Sequence, residues 1–430
     1  MTLGVQSVSH AQGVGGTGGG LATIPGTAFG GATDPSMLQL QEGFRLIPSI
    51  MVGERYDSNV FFAPKTPGLN REDFVTTTVP QLRGLYVGSL VSVNATASAV
   101  GEYYAKNTAL SYVGTSAGAI VDASKLVSQL REGTRLTVSD TYNYTPQPPA
   151  FLTGDLAGEG TNPFVRGFQT GRANMQSNVF GANLSVPLTQ VVSVIGGYSN
   201  GFIKFGSSEL EQPGSLLDTT FTTYTAGLSM KASHRDTVTL NAVNSEYNSG
   251  ALGSFTTRGG TVGWTHLFTP NVSMLSAAGL QQVESNFSGA QSSASIAPLG
   301  SLALLWKDDT TTMTVVYNIG VTPSYQFQSQ ALLTHVASVS LTQQTAIPDL
   351  LGIASVNYGR GDEFGSASTS TASSLSYVAW GGTGGLTYRF TPKTFLGLTY
   401  SYSNNDQSFG GQSFRIDRQI VQMSLSQAFY

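Results

Sequence analysis

From Phe44 to Phe429 the chain repeats segments of about 12 to 16 residues in which apolar side chains occupy every second position. In Lys393-Thr394-Phe395-Leu396-Gly397-Leu398-Thr399-Tyr400-Ser401-Tyr402, one face collects Leu396, Leu398, Tyr400 and Tyr402. The other collects Gly397, Thr399 and Ser401. Period two is a strand period, and an apolar face backed by small polar residues is the pattern of strands with lipid outside and water inside. The alternation predicts strands over 44–56, 74–87, 90–105, 118–130, 133–145, 174–187, 190–204, 218–231, 236–248, 254–268, 271–284, 293–307, 310–323, 334–346, 350–361, 375–390, 393–404 and 413–429. The expected fold is all-β: a transmembrane, antiparallel, up-and-down barrel of about 18 strands. Leu396, Leu398, Tyr400, Val315, Tyr317, Ile319, Val238 and Leu240 should face lipid, and Thr399, Ser401, Thr314, Asn318, Thr239 and Asn241 the lumen.

The connections support this reading independently. Every second one is a tight turn: Arg131-Glu132-Gly133, Pro187-Leu188-Thr189, Thr269-Pro270-Asn271, Lys307-Asp308-Asp309, Ile347-Pro348-Asp349 and Thr391-Pro392-Lys393. The others are longer, notably 57–73, 146–173, 205–217, 324–333 and 362–374. Short periplasmic turns and long extracellular loops are the rule for outer-membrane barrels, and an even strand number returns both ends of the barrel to the periplasm. Trp264 to Phe268 before Pro270, and Tyr388 to Phe390 before Pro392, place aromatics where an interfacial girdle would sit.

Composition narrows the classes. Charged residues make up 11% of the chain, against roughly 25% in soluble domains. No apolar run approaches the length of a membrane helix. Cysteine is absent, which removes disulfides and thiolate metal sites. The net charge of -4 and the lack of a basic stripe argue against nucleic acid as a partner. The expected setting is the outer membrane of a Gram-negative bacterium, with its lipids as the first partner.

Residues 1–43 read as a flexible Gly-rich leader and 44–430 as the barrel. Gly13-Val14-Gly15-Gly16-Thr17-Gly18-Gly19-Gly20 has no preceding strand and no following Lys-Ser or Lys-Thr, so it reads as a flexible tract rather than a phosphate loop. Residues 1–11 lack the basic and apolar stretches of a secretory signal, yet Ser9-His10-Ala11 ends like a cleavage site. A truncated signal and an unrelated start are both open readings.

Candidate chemistry is sparse. His10, His234, His266 and His335 are scattered with no nucleophile beside them, so no enzyme, cofactor or metal site is expected. Asp57 and Asn59 offer two hard oxygens, too few for calcium, and a fold-back onto their own backbone is the expected role. Glu102, Arg135 and Arg389 fall on the polar phase of their strands, where charges tune a lumen. Arg166 and Arg172 sit in the Pro-rich segment 146–173, long enough to fold across a bore and meet anionic cargo or, equally, to stand outside as a surface loop for attachment or neighbour contacts.

Glu54-Arg55-Tyr56-Asp57-Ser58-Asn59-Val60-Phe61-Phe62, Val79-Pro80-Gln81-Leu82, Glu102-Tyr103-Tyr104 and Asp140-Thr141-Tyr142-Asn143-Tyr144-Thr145-Pro146 resemble a family of Gram-negative outer-membrane barrels that accompany exopolysaccharide synthesis and export. The matching pieces cover about the first third of the barrel. The resemblance implies a channel for a glycan or other hydrophilic cargo and a periplasmic export partner. Two functions stay open at this point: a porin-like channel for hydrophilic solutes or exported polysaccharide, and a structural or sheath barrel that anchors a surface layer or encloses a partner protein.

Overall fold

The structure, a computed structural model, describes residues 43–65, 70–145, 173–208, 218–250, 253–287, 293–323, 331–364, 376–409 and 412–429. The strands are β1 Gly43–Asp57, β2 Asp73–Val87, β3 Ser92–Tyr104, β4 Tyr112–Asp122, β5 Arg135–Thr145, β6 Ala173–Pro187, β7 Val192–Ser208, β8 Thr219–Lys231 and β9 Asp236–Asn248. They continue as β10 Gly253–Thr269, β11 Val272–Phe287, β12 Ser293–Lys307, β13 Thr311–Pro323, β14 Ala331–Gln344, β15 Leu350–Phe364, β16 Ser376–Thr391, β17 Thr394–Phe409 and β18 Gln412–Ala428. Each pairs antiparallel with its neighbours in sequence, and β18 pairs back onto β1 from Ser49–Ala428 to Asp57–Ile420. The sheet is a closed 18-stranded barrel, with no edge to present unpaired backbone to hydrocarbon.

Register carries one face around the whole ring. Leu398 lies opposite Leu386 and Met423, Val315 opposite Val339 and Leu304, and Leu240 opposite Val262 and Leu228. The large exposed apolar side chains belong almost entirely to this face. Every lipid- and lumen-facing residue expected from the alternation falls on its expected phase. A barrel with an apolar exterior and a polar interior is an outer-membrane barrel. Aromatics ring the turn side: Tyr388 and Phe390 meet edge-on at 4.9 Å, as do His266 and Phe268 at 4.5 Å. Their flat amphipathic rings suit the headgroup boundary.

One expected strand is displaced. The segment 118–130 was expected to be a strand with a tight turn after it; β4 instead spans Tyr112–Asp122, and a short helix, α1 Ser124–Ser128, follows. Asp122 Oδ1 accepts the Ser124 N–H at 2.9 Å, and Val127 N–H reaches the Ala123 carbonyl. That aspartate starts a turn of helix where the alternation of apolar residues continues into Leu126 and Leu130. Leu130, 90% exposed, belongs to no sheet face. Most of the segment 146–173, with Arg166 and Arg172, and nearly all of the 1–43 leader lie outside the described residues.

The wall is uneven on its extracellular side. The ladder between β12 and β13 runs only from Gly300–Ile319 to Lys307–Thr312, eight pairs, whereas β11 and β12 share fourteen. Pro298 stands just above the last pair, and proline has no N–H to give a ladder. Beyond that point the ends of β13 and β14 turn inward. Val321 and Ala331, on the lipid phase of their strands, join lumen-phase Ile203, Phe221, Tyr247, Phe255, Val283 and Ala297 in one apolar cluster. Ala331 is 4% and Leu332 1% exposed, so β14 is covered on both faces here. These strand ends pack toward the lumen-phase cluster rather than standing in the outer face.

Candidate functional site

The lumen wall is mostly Ser, Thr, Asn and Gly, and four of its charges gather where β18, β1 and β3 approach their extracellular ends. Strand geometry puts Arg55 and Asp57 two residues apart on one face. Closure brings Arg418 against them from 361 residues away. Arg55 forks onto Glu102, with Nη1 at 2.9 Å from Oε1 and Nη2 at 3.0 Å from Oε2. The Tyr104 hydroxyl donates to Glu102 Oε2 at 2.8 Å. Asp57, fully buried, accepts Arg418 Nε at 3.0 Å and the Asn59 N–H at 3.0 Å, with Arg55 Nε at 3.8 Å. Two guanidinium groups and two carboxylates alternate, so the cluster is close to neutral. Planar forks of this kind hold geometry as well as charge.

The start of the loop after β1 closes over this cluster. Val60 packs with Val75, Tyr104 and Leu110, and Phe62 lies under the Arg418 guanidinium at 5.7 Å. Asn59 Nδ2 donates to the carbonyls of Ala63 and Asp417 at 2.9 and 3.0 Å. Asn59 therefore folds onto backbone as expected, whereas Asp57 accepts one backbone N–H and is otherwise held by the two guanidinium groups. Asp73 also folds onto backbone, accepting the N–H groups of Phe74, Lys106 and Asn107. Above the wall, Glu72 is held below the usual carboxylate range by hydrogen bonds from Lys106 and Tyr56.

Glu102 sits on the lumen phase as expected, but Arg55 and Tyr104 occupy its oxygens. Arg135 is exposed at the turn-side start of β5. Arg389, also near the turns, donates through Nε to Asp349 Oδ1 at 2.8 Å, with Nη2 on the same oxygen. These three lie at two levels of the barrel and form no single site; Arg166 and Arg172 lie outside the described residues. The reading from sequence missed Arg55 and Arg418. Arg55 was visible as a lumen-phase charge beside Asp57, whereas Arg418 becomes relevant only once β18 closes on β1.

An acid–histidine pair does occur on the outer face, where His266 Nδ1 lies 2.7 Å from Asp236 Oδ1. Trp264 Nε1 and Ser233 Oγ both donate to the same carboxylate. The serine bonds the acid rather than the imidazole, so no base stands ready for its hydroxyl. No group of acidic and histidine side chains able to hold a metal occurs among the described residues.

Among the described residues, several lumen-phase groups have no hydrogen-bond partner: the Thr77, Ser199 and Thr261 hydroxyls, both amide atoms of Asn405, and the Gln281 and Gln407 amide nitrogens. Buried polar atoms are costly unless bonded, so the lumen surface holds hydrogen-bonding capacity that the fold itself does not use.

No family model matches the chain, and no curated protein does. Solved outer-membrane structures do. OccK2 (OpdF) of Pseudomonas aeruginosa in complex with glucuronate is 11% identical, with 90% of this chain and 100% of that one covered and a TM-score of 0.46. OpdK of the same organism with vanillate is 12% identical, with 90% and 100% covered and a TM-score of 0.47. OccAB3 of Acinetobacter baumannii is 11% identical, with 89% and 99% covered and a TM-score of 0.45. These comparisons give no support to the exopolysaccharide association. At such identities and TM-scores they carry neither substrate nor mechanism across, and the assignment as an outer-membrane barrel rests on this chain's own closed register and apolar exterior.

Proposed function

We propose that this barrel is a passive conduit for small hydrophilic solutes, with little preference for either sign of charge. One observation carries the reading: a closed 18-stranded wall whose inner phase is mostly hydroxyl, amide and glycine, and whose buried charges Arg55, Asp57, Glu102 and Arg418 compensate one another. Barrels of 16 to 18 strands are wide enough for water. A wall of hydroxyls and amides replaces the hydration of a sugar or polyol without a strong field, which suits neutral solutes better than selective ion transport. Arg389, near the turn side, is compensated by Asp349, and Glu102 acts mainly by fixing Arg55.

Proteoliposome swelling tests this. Vesicles carrying the barrel should swell in isotonic solutions of a pentose, a hexose and a disaccharide at rates that fall with solute size. Equal-sized neutral and anionic solutes should differ by less than about threefold. Swelling no faster than in protein-free vesicles refutes the conduit and leaves the structural or sheath role.

A further inference from the structure

Above Gly300–Ile319 the wall has a seam. Among the described residues, 293–299 of β12 pair with β11 alone and 320–323 of β13 with β14 alone. Backbone groups left open in hydrocarbon cost several kcal/mol each, so the seam must lie against water or headgroups. Its height fits. The eight pairs beneath it span about 27 Å of strand at roughly 3.4 Å per residue. At a tilt near 40° that is about 20 Å of height, against an apolar band about 25 Å tall. The seam therefore opens near the upper edge of the apolar band, where hydrocarbon gives way to headgroups.

Its surroundings differ from the rest of the lumen. Inside lies the apolar cluster of Phe221, Tyr247, Phe255, Val283 and Ala297, capped by Val321 and Ala331. Outside, on the lipid phase, Ile296 is 72% exposed. Level with Ala297 and Leu299, Thr261 and Gln281 offer lumen-facing groups with no hydrogen-bond partner among the described residues. Apolar side chains thus stand on both sides of the wall at this level, the cluster at Ala297 within and Ile296 on the lipid phase. The ends of β13 and β14 close the seam from within, and among the described residues no side-chain hydrogen bond crosses from them to β12. The Thr334 hydroxyl bonds Gly320 within the inward-turned pair itself.

We propose that the seam between β12 and β13 is a lateral window for amphipathic solutes, molecules with a small polar head and an alkyl or aryl tail. Residues 320–323 and 331–334 act as its shutter. The head stays with the lumen's hydroxyls and amides while the tail crosses the apolar cluster into the outer leaflet. This rests on the conduit reading and extends it to a second class of cargo.

The chain has no cysteine, so the pair Leu299→Cys/Gly320→Cys offers a staple at two positions that touch across the seam, where a Cβ added at Gly320 would meet the Leu299 side chain. Efflux of decanesulfonate and methanesulfonate, which share a head and differ in tail, is measured from proteoliposomes against protein-free vesicles. Oxidation should slow decanesulfonate at least tenfold and methanesulfonate less than twofold, with reduction restoring both. Equal slowing of the two, or no change once mass spectrometry confirms the disulfide, overturns the window. Should the pair not fold or not oxidise, Pro298→Val, which restores a ladder N–H, must give the same selective loss, and unchanged decanesulfonate efflux in that variant overturns it too. If methanesulfonate fails to leave even the wild-type vesicles, the conduit reading itself fails, a result distinct from failure of the window.

Discussion

Removing the carboxylate of Glu102 tests the lumen cluster most sharply. Its side chain is 4% exposed and that of Arg55 11%, so solvent screens the pair little. Glu102→Gln keeps the shape and the Tyr104 contact but leaves Arg55 with Asp57 at 3.8 Å, an acid already shared with Arg418. Breaking one side of a buried pair costs about 3–5 kcal/mol; the remaining Asp57 attraction places this variant near the lower end, about 3 kcal/mol. Replacing both partners, as in Arg55→Leu/Glu102→Leu, leaves no orphaned charge and should fall within about 1 kcal/mol of wild type. Reversible urea unfolding in lipid or detergent, followed by tryptophan fluorescence, gives the four corners of the cycle. A second readout comes from the lumen: one uncompensated positive charge about 10 Å from the path in water contributes about 0.4 kcal/mol by Coulomb's law. Acting with opposite sign on the two ions, that predicts a roughly fourfold rise in chloride over potassium permeability, read from the reversal potential in a salt gradient. A Glu102→Gln barrel within about 0.5 kcal/mol of wild type, or a double variant as unstable as the two singles summed, would refute the reasoning.

Three further outcomes follow from the same geometry. Leu398→Arg, on the lipid phase and 51% exposed, should destabilise the barrel by about 2–4 kcal/mol, while Thr399→Arg on the lumen phase should cost under about 1 kcal/mol; equal costs would mean the faces are reversed. Gly279→Ala should cost about 1–3 kcal/mol, because its added Cβ runs into the Gly260 carbonyl oxygen, and a neutral result in the same unfolding assay would remove that constraint. In the turn after β12, the N–H groups of Thr310 and Thr311 hold the Asp308 carboxyl below its usual range. A depressed carboxylate stabilises the fold above its unfolded value near 3.9 and loses that contribution as pH falls through the folded value. Wild type should therefore exceed Asp308→Asn at pH 7, with the difference shrinking below about pH 4; a difference that grows on acidification would contradict it.

The alternation was enough to read the barrel because lipid and lumen ask for different side chains at every step, and that demand repeats in each strand. Leu398 against Thr399 and Leu240 against Asn241 are local facts, visible in three residues. The segment 118–130 misled because Leu126 and Leu130 extend the alternation beyond Asp122, where a side chain-to-backbone bond turns the chain into a helix. The charged cluster was only half legible. Arg55, Asp57 and Glu102 stand on the correct phase, but a fork between Arg55 and Glu102 depends on how β1, β2 and β3 stagger, and Arg418 joins through closure. The inward turn of β13 and β14 left one trace, Pro298 in an otherwise regular strand. Its consequence, a ladder that ends at Gly300, needs the partner strand to be seen.

The central claim is that solutes pass through this wall unaided, and single-channel recording in planar bilayers tests it most directly. Insertion of the purified barrel should give discrete, ohmic current steps in potassium chloride, with a potassium-to-chloride permeability ratio within about threefold of unity, as a compensated lumen requires. Folded barrels that insert and carry no current, or that pass one ion sign almost exclusively, would contradict the account.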